Sequence, residues 1–259
     1  MIAVLSPAKS LDFETPLATD RTSQPRLADR ADELVEVMAA KTPAQVKALM
    51  SLSDPLAELN ARRYAEWDQA ADEARQAILA FDGDVYRGMD APATFDTRDF
   101  TRAQKTVRIL SGLYGLLRPL DVIRPYRLEM GTKLRTSRGG DLYAYWGDAI
   151  TGLLREDVDD SPGADVLVNL ASQEYFRAVD ADVLDRRVIA PVFLDAKGDG
   201  EPRIVSFHAK KARGAMAGWM VRERVDRPSH LEGFDGLGYR HDPERSAEDA
   251  PVFVRRNPA

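Results

Sequence analysis

Two short segments of this sequence concentrate basic side chains. Residues 118–138 contain six Lys or Arg residues against two acids, and residues 203–224 contain six against one. The whole chain has a formal net charge of −6, so this basic charge is local. Clustered Lys and Arg side chains are typical of a site for phosphate or carboxylate groups. The predicted anion-binding residues are Lys9, Arg118, Arg124, Arg127, Lys133, Lys210, Lys211 and Arg213.

Lys9 also belongs to Ser6-Pro-Ala-Lys9, a Ser-x-x-Lys pattern in which a lysine can activate a serine nucleophile. Ser6 follows an apparent strand instead of opening a helix, and neither Lys-Thr-Gly nor Ser-Asp-Asn occurs downstream. The pattern therefore favours a loop at a strand end from which Lys9 reaches an anion. Ser6 and Lys9 remain candidates for catalysis.

The segment around Arg124 predicts a rigid turn. Prolines on either side prevent a continuous helix, which fixes Arg124, Arg127 and Glu129 relative to one another. Rigid arginines suit forked hydrogen bonds to phosphate or carboxylate, whereas an Arg127–Glu129 ion pair that only closes the loop is the alternative. Glu129 is the third catalytic candidate. Tyr126 either stacks on a base or fills the core.

Polar residues also follow the predicted strand at 166–170. Asn169 and Ser172 are expected at a sheet edge, where α/β proteins commonly bind ligands. The segment 209–219 is predicted to start a helix, just after the strand 203–207, and it carries three cations in its first turns. Cations there oppose the helix dipole unless an anion lies between them, which favours a functional role.

Composition excludes several classes of protein. The sequence has no cysteine, which excludes disulfides, thiolate catalysis and Cys-ligated metal centres. Its three histidines lie in unrelated contexts, and no Walker glycine motif occurs, so we predict no metal or cofactor. The first apolar run is too short for a signal peptide, and no apolar stretch approaches about 18 residues. We therefore expect a cytoplasmic protein with no membrane partner.

Hydrophobic periodicity predicts a single mixed α/β domain spanning 1–259, with a helical segment, 27–80, inserted after the first strand. Segment 81–99 is predicted as loop. Strands are predicted at 2–5, 166–170, 188–194, 203–207 and 252–254, and helices at 27–38, from Thr42, at 59–67, 72–80, 98–117, 141–156 and 209–225.

Several of these motifs, in this order, resemble the YaaA family of bacterial peroxide stress proteins. The resemblance runs from residue 5 to residue 214 and is carried by Leu5-Ser-Pro-Ala-Lys-Ser-Leu-Asp-Phe13, Leu110-Ser-Gly-Leu-Tyr-Gly-Leu-Leu-Arg-Pro-Leu-Asp121, Pro125-Tyr-Arg-Leu-Glu-Met-Gly131, Asn169-Leu-Ala-Ser172 and Phe207-His-Ala-Lys-Lys-Ala-Arg-Gly214.

The resemblance implies a compact mixed α/β protein of unusual fold that limits oxidative damage when hydrogen peroxide meets free iron, and that binds DNA. It also implies a helix-hairpin-helix element, at residues 42–67. In such an element backbone amides grip a phosphate and glycines allow close approach. Here the hairpin residues 53–58 contain no glycine and include Asp54 and Glu58, which departs from that pattern.

Two functional hypotheses follow, and the sequence does not decide whether the protein is an enzyme. In the first, the predicted cations form a cleft that holds the DNA backbone with weak sequence preference. In the second, the same cations clamp a small anionic ligand, a nucleotide or nucleobase substrate. The polar chemistry would then come from Glu129, Tyr126, Asn169 and Ser172.

Overall fold

The first strand occupies the centre of the largest sheet. The computed structural model describes residues 1–68, 73–198 and 200–257, apart from the side chain of residue 257. Strand β1 (Ile2–Leu5) is fully buried and pairs in parallel with the third and sixth strands of the chain. The sheet has the order β4-β3-β1-β6-β7, with only β4 antiparallel. Its other strands are β3 (Val107–Ser111), β4 (Gly115–Leu117), β6 (Val166–Asn169) and β7 (Arg187–Ile189).

The segment inserted after β1 is mainly helical, as predicted. It contains α1 (Ala28–Ala39), α2 (Pro43–Met50) and α3 (Asp54–Ala65). Helix α2 begins as the sequence indicates, because the Thr42 side chain accepts a hydrogen bond from the Gln45 amide and the Gln45 side chain accepts one from the Thr42 amide. Residues 51–53 join α2 to α3. A helix pair therefore exists at 42–67, whereas its DNA-binding role stays a prediction.

The predicted helix at 72–80 is wrong in part. Strand β2 (Arg75–Gln76) pairs with β5 (Val122–Ile123), and only α4 (Ala77–Ala80) is helical. Residue 72 lies outside the described residues. The predicted loop at 81–99 is also wrong, since it contains α5 (Asp84–Met89) and α6 (Ala91–Thr94).

The helix predicted at 98–117 ends early. Helix α7 (Thr97–Thr106) is capped by the Asp96 carboxylate, which accepts from the amides of Arg98 and Asp99. Beyond Thr106 the chain forms β3 and β4 instead of more helix. All side chains of β3 are buried, as expected for a strand that is covered on both faces of a sheet.

The second half of the chain adds a smaller sheet, of order β8-β10-β9. The predicted strand 188–194 is divided between the two sheets, because Pro191 lies between β7 and β8 and has no amide hydrogen for a ladder.

The predicted strand 203–207 is wrong: Arg203 forms only an isolated bridge with Asp195, and Ser206 already begins a helix. The elements here are α8 (Leu142–Trp146), α9 (Ala149–Asp160), α10 (Gln173–Phe176), α11 (Ala181–Leu184), β8 (Val192–Lys197), α12 (Ser206–Arg222), β9 (Arg240–His241) and β10 (Val252–Asn257).

One continuous hydrophobic core includes residues of both larger sheets and of the helices, so the prediction of a single mixed α/β domain is confirmed. A buried ion cluster lies beside this core, where the Asp157 carboxylate accepts two hydrogen bonds from Arg108 and two from Arg26. Within the described part of the chain, no helix is both long and apolar enough to cross a membrane.

Helices α5 and α12 approach each other closely. A Cβ atom at Gly214 of α12 would overlap the backbone carbonyl of Val85 in α5, and one at Gly88 of α5 would overlap the carbonyl of Lys211. Glycine at both positions lets the two backbones touch, as the small-residue composition of α12 indicates. This contact brings the start of α5 beside the cations of α12.

Candidate functional site

A polar cleft opens at the carboxyl ends of β1 and β6, the two adjacent parallel strands at the middle of the main sheet. Its volume is about 470 Å³, within the usual range for small-ligand sites. We call it the β1–β6 cleft. It is lined by residues 6–10 after β1, residues 82–87 at the start of α5, Glu129, four residues after β6 (Leu170, Ser172, Glu174 and Tyr175), and Lys210 and Arg213 of α12.

Ser6 and Ser172 link the two strand ends at the base of this cleft. The backbone amide of Ser172 donates to Ser6 Oγ at 2.9 Å, and the two hydroxyl oxygens are 3.3 Å apart. The hydroxyl of Tyr86 donates to the Ser6 carbonyl at 3.0 Å. In the described structure no carboxylate, imidazole or amine contacts Ser6 Oγ. The hydrogen bonds of Ser6 therefore fix the loop after β1, but they do not by themselves activate its hydroxyl as a nucleophile.

Glu129 is held between two cations. Lys9 Nζ lies 2.7 Å from Glu129 Oε2, and Arg127 Nη2 lies 3.4 Å from Glu129 Oε1. The Arg127–Glu129 pair is therefore present, and Glu129 lines the cleft as well. Arg127 itself does not line the cleft. Its role in this geometry is to help fix the position of the Glu129 carboxylate beside Lys9.

The α12 wall carries the positive charge that has no counter-ion. Arg213 is half-buried, and burial lowers the pKa of its guanidinium. Among the described residues, none forms an ion pair or hydrogen bond with the side chain of Arg213 or of Lys210. An arginine that is desolvated without a partner is unfavourable unless an anion binds it. Lys211 is exposed next to them and does not line the cleft.

The rest of the cleft is more acidic than the α12 wall. Arg87 forms two hydrogen bonds with the Asp82 carboxylate, at 2.9 and 2.8 Å. Glu174 Oε1 accepts from the Gly131 amide at 3.0 Å. Asp84 completes the set of four carboxylates that face four cations in the cleft. An anionic ligand is therefore best accommodated against α12, away from the acidic side.

Besides Arg127 and Lys211, three more of the predicted cations lie outside the cleft. Arg118 donates to the buried Asp121 carboxylate and to the Gln24 carbonyl in a separate surface hollow. The guanidinium of Arg124 lies 5.3 Å from the centre of the Trp67 ring, and its Nη1 donates to the Trp67 carbonyl at 2.7 Å. Lys133 is exposed and does not line the β1–β6 cleft.

Two of the predicted polar residues have structural contacts. Tyr126 is buried, its hydroxyl lies 2.6 Å from Ser111 Oγ, and burial raises its pKa, so its ring belongs to the core. Asn169 Oδ1 accepts from the Ala171 amide at 3.0 Å and closes the turn after β6. The structure thus brings together in the cleft Ser6, Lys9, Glu129, Ser172, Lys210 and Arg213.

Sequence reasoning missed two parts of the site. Residues 82–87 were predicted as loop, and their pattern gives no sign that they turn into α5 and face α12. Glu174 and Tyr175, in contrast, come two and three residues after Ser172. They belong to the strand-end segment that had already been selected as a ligand-binding edge, so extending that prediction by one helical turn would have included them.

The fold and the cleft define a single-domain mixed α/β protein with a ligand-sized polar site at the carboxyl edge of its central sheet. A family model described as peroxide stress protein YaaA matches residues 1–245, and the chain belongs to this family. The chain is 52% identical over 259 residues to a UPF0246 protein of Burkholderia mallei strain SAVP1, with 99% of each chain covered. It is 54% identical over 257 residues to a UPF0246 protein of Tolumonas auensis, with 98% of each covered. The family supports a role in peroxide stress.

Proposed function

We propose that this protein acts in peroxide stress by binding DNA through phosphate contacts along α12, and that it thereby limits iron-dependent oxidative damage. The observation that carries the proposal is the partnerless Arg213 in the cleft, with Lys210 beside it. A phosphate oxygen would supply the charge-assisted hydrogen bonds that this half-buried guanidinium lacks. In this proposal the effect on iron-dependent damage is exerted at the DNA.

Binding of this kind is expected to have weak sequence preference. Phosphate contacts position a protein on DNA but carry no base information. The net charge of −6 disfavours general attraction to DNA, so binding depends on the few cations of α12. The affinity should fall with added salt, by about 0.9 log units per log unit of salt for each phosphate neutralised on a duplex.

The test is a fluorescence-anisotropy titration of a labelled duplex at several salt concentrations. The Lys210→Ala/Lys211→Ala/Arg213→Ala variant should lose most of the affinity and most of the salt dependence. A control with the same charge change, Lys41→Ala/Arg98→Ala/Lys105→Ala, alters residues that do not line the β1–β6 cleft and should bind nearly as the parent does. Equal losses in both variants, or no binding by the parent, would refute the proposal.

A second candidate function is catalysis on a nucleotide or nucleobase substrate in the same cleft. Two observations favour it: the volume of about 470 Å³ suits one nucleotide-sized ligand, and Glu129 presents a carboxylate there beside Lys9. In this case Glu129 is the acid–base candidate, whereas Lys210 and Arg213 bind the phosphate.

Two variants separate the candidates. If catalysis occurs, Glu129→Gln and Lys9→Ala should still bind DNA but should no longer protect cells from hydrogen peroxide. If both variants bind DNA and protect cells as well as the parent does, the catalytic candidate is excluded.

A further inference from the structure

Two large apolar side chains are exposed at the start of α12 and just before it. Ile204 and Phe207 are 64% and 56% exposed. In the described residues only three other large apolar side chains are comparably exposed, and all three are leucines: Leu17, Leu56 and Leu237. Phe207 touches the ring of its neighbour His208, with ring centres 5.7 Å apart, but it contributes little to the core. A solvated phenylalanine at this position therefore needs an explanation other than packing.

Phe207 lies on the same face of α12 as two of its cations. Residues three and four apart are neighbours on a helix surface, so Phe207 lies next to Lys210 and Lys211. Lys210 lines the β1–β6 cleft, and Arg213 follows it by three residues on the same helix. The aromatic ring thus lies about one helical turn, or roughly 5 Å along the axis, outside the cleft residues.

We infer that Phe207 is a stacking platform for an unpaired base of single-stranded DNA, whose phosphates are held by Lys210, Lys211 and Arg213. This inference rests on the proposed DNA binding and specifies the form of DNA that is bound. Aromatic rings beside a cationic track are how proteins hold single strands without reading their sequence. In a duplex the base faces are covered by neighbouring base pairs, so Phe207 has access only to a base that has left the stack.

The surroundings of Phe207 favour a nucleic acid over a protein partner. Protein interfaces usually bury about 800 Å² on each partner, and their centres are depleted of charge. Here the exposed apolar surface is limited to Ile204 and Phe207. It is bordered by Arg203, Lys210 and Lys211, which are all exposed. This mixture suits a phosphodiester chain with an unstacked base better than an apolar protein surface.

The experiment compares a labelled DNA single strand with a duplex of the same length, using the full-length parent and three variants. Phe207→Ala should weaken binding of the single strand at least about fivefold, the lower limit for losing one stacked base. It should change the affinity for the duplex less than twofold and leave the salt dependence unchanged, because no phosphate contact is lost. Phe207→Tyr keeps a ring and should restore binding of the single strand. Leu17→Ala removes a similarly exposed apolar side chain elsewhere and should have no effect.

Several outcomes would overturn the inference. Binding of the single strand by Phe207→Ala within twofold of the parent would exclude stacking, and so would equal losses for single strand and duplex. An RNA strand of the same sequence bound more tightly than the DNA strand would reassign the ligand. A parent dimer that becomes monomeric in Phe207→Ala would show that the patch joins two copies of the chain. Failure of the proposed function looks different, since the parent would then bind neither form of DNA.

Discussion

Replacing Arg213 by methionine should weaken DNA binding and stabilise the fold at the same time. Methionine keeps much of the apolar stem of the side chain but removes the charge. In the parent the guanidinium is half-buried, burial lowers its pKa, and no described residue pairs with it. A charge in this position destabilises the free protein and becomes favourable only when an anion binds.

Both effects can be estimated. Burying an uncompensated charge fully costs several kcal/mol, and partial solvent access reduces this to about 1 kcal/mol here. Its removal should raise the melting temperature by about 2 °C in a chain of this size. One charged hydrogen bond to phosphate contributes about 1.5–3 kcal/mol, so the affinity for DNA should fall roughly tenfold to a hundredfold. The salt dependence should decrease by about 0.9 log units per log unit of salt.

The assays are thermal unfolding without DNA and fluorescence anisotropy with DNA. Arg222→Met is the matched control, because Arg222 lies at the end of the same helix and donates to Thr94 Oγ1 at 3.2 Å. This control should bind DNA normally and gain no stability. An Arg213→Met protein that is less stable than the parent and binds DNA as tightly would refute the reasoning, since Arg213 would then have a structural role only.

Three further predictions concern the framework of the cleft and are checked by urea unfolding. Gly214→Ala should lose about 1–3 kcal/mol of stability and weaken DNA binding, because the new Cβ overlaps the Val85 carbonyl and forces α5 from α12. Asp157→Asn should lose about 3 kcal/mol or more, since it leaves Arg26 and Arg108 without their carboxylate. Burial alone would raise the pKa of Asp157, but the hydrogen bonds from Arg108 and Arg26 outweigh it and keep this pKa below its usual value. The resulting stabilisation is complete at neutral pH and is lost as the pH falls below about 4. The free energy of unfolding should therefore decrease less on acidification in Asp157→Asn than in the parent. Unaltered stability in Gly214→Ala would contradict the packing described. Unaltered stability in Asp157→Asn, or an unaltered dependence of its stability on acid pH, would contradict the pairing described.

The sequence predicted the central elements well because burial determines them locally. β1 and β6 are short apolar runs that end in polar loops. The start of α2 is recognisable because Thr42 caps the helix and Pro43 is its first residue. The errors arise where an apolar pattern in the sequence is compatible with both a helix and a strand. Residues 107–111 continue an apolar pattern from α7, and pairing with β1 and β4 makes them a strand. Ile204 and Val205 resemble a strand, yet Ile204 faces solvent and the helix begins one residue after Val205.

For the site, sequence reasoning identified the residue types but not their grouping. Lys9, Glu129 and Arg213 come from three distant parts of the chain, and only the fold brings the loop after β1, the loop after β5 and the first turns of α12 to one cleft. Arg118 looked equivalent to them by composition. Its pairing with Asp121, three residues away, is a local contact that charge counts alone do not separate from ligand binding.

The central position of β1 also sets the order in which the chain can fold during synthesis. Residues 2–5 leave the ribosome before both of their partners, residues 107–111 and 166–169. At about 5–20 residues per second, the last partner follows after roughly 10–30 s. During this interval an apolar strand with two free edges is a target for chaperones and for misassociation. Synonymous codons that slow translation before residue 169 should therefore lower the yield of folded protein more than the same codons placed after it.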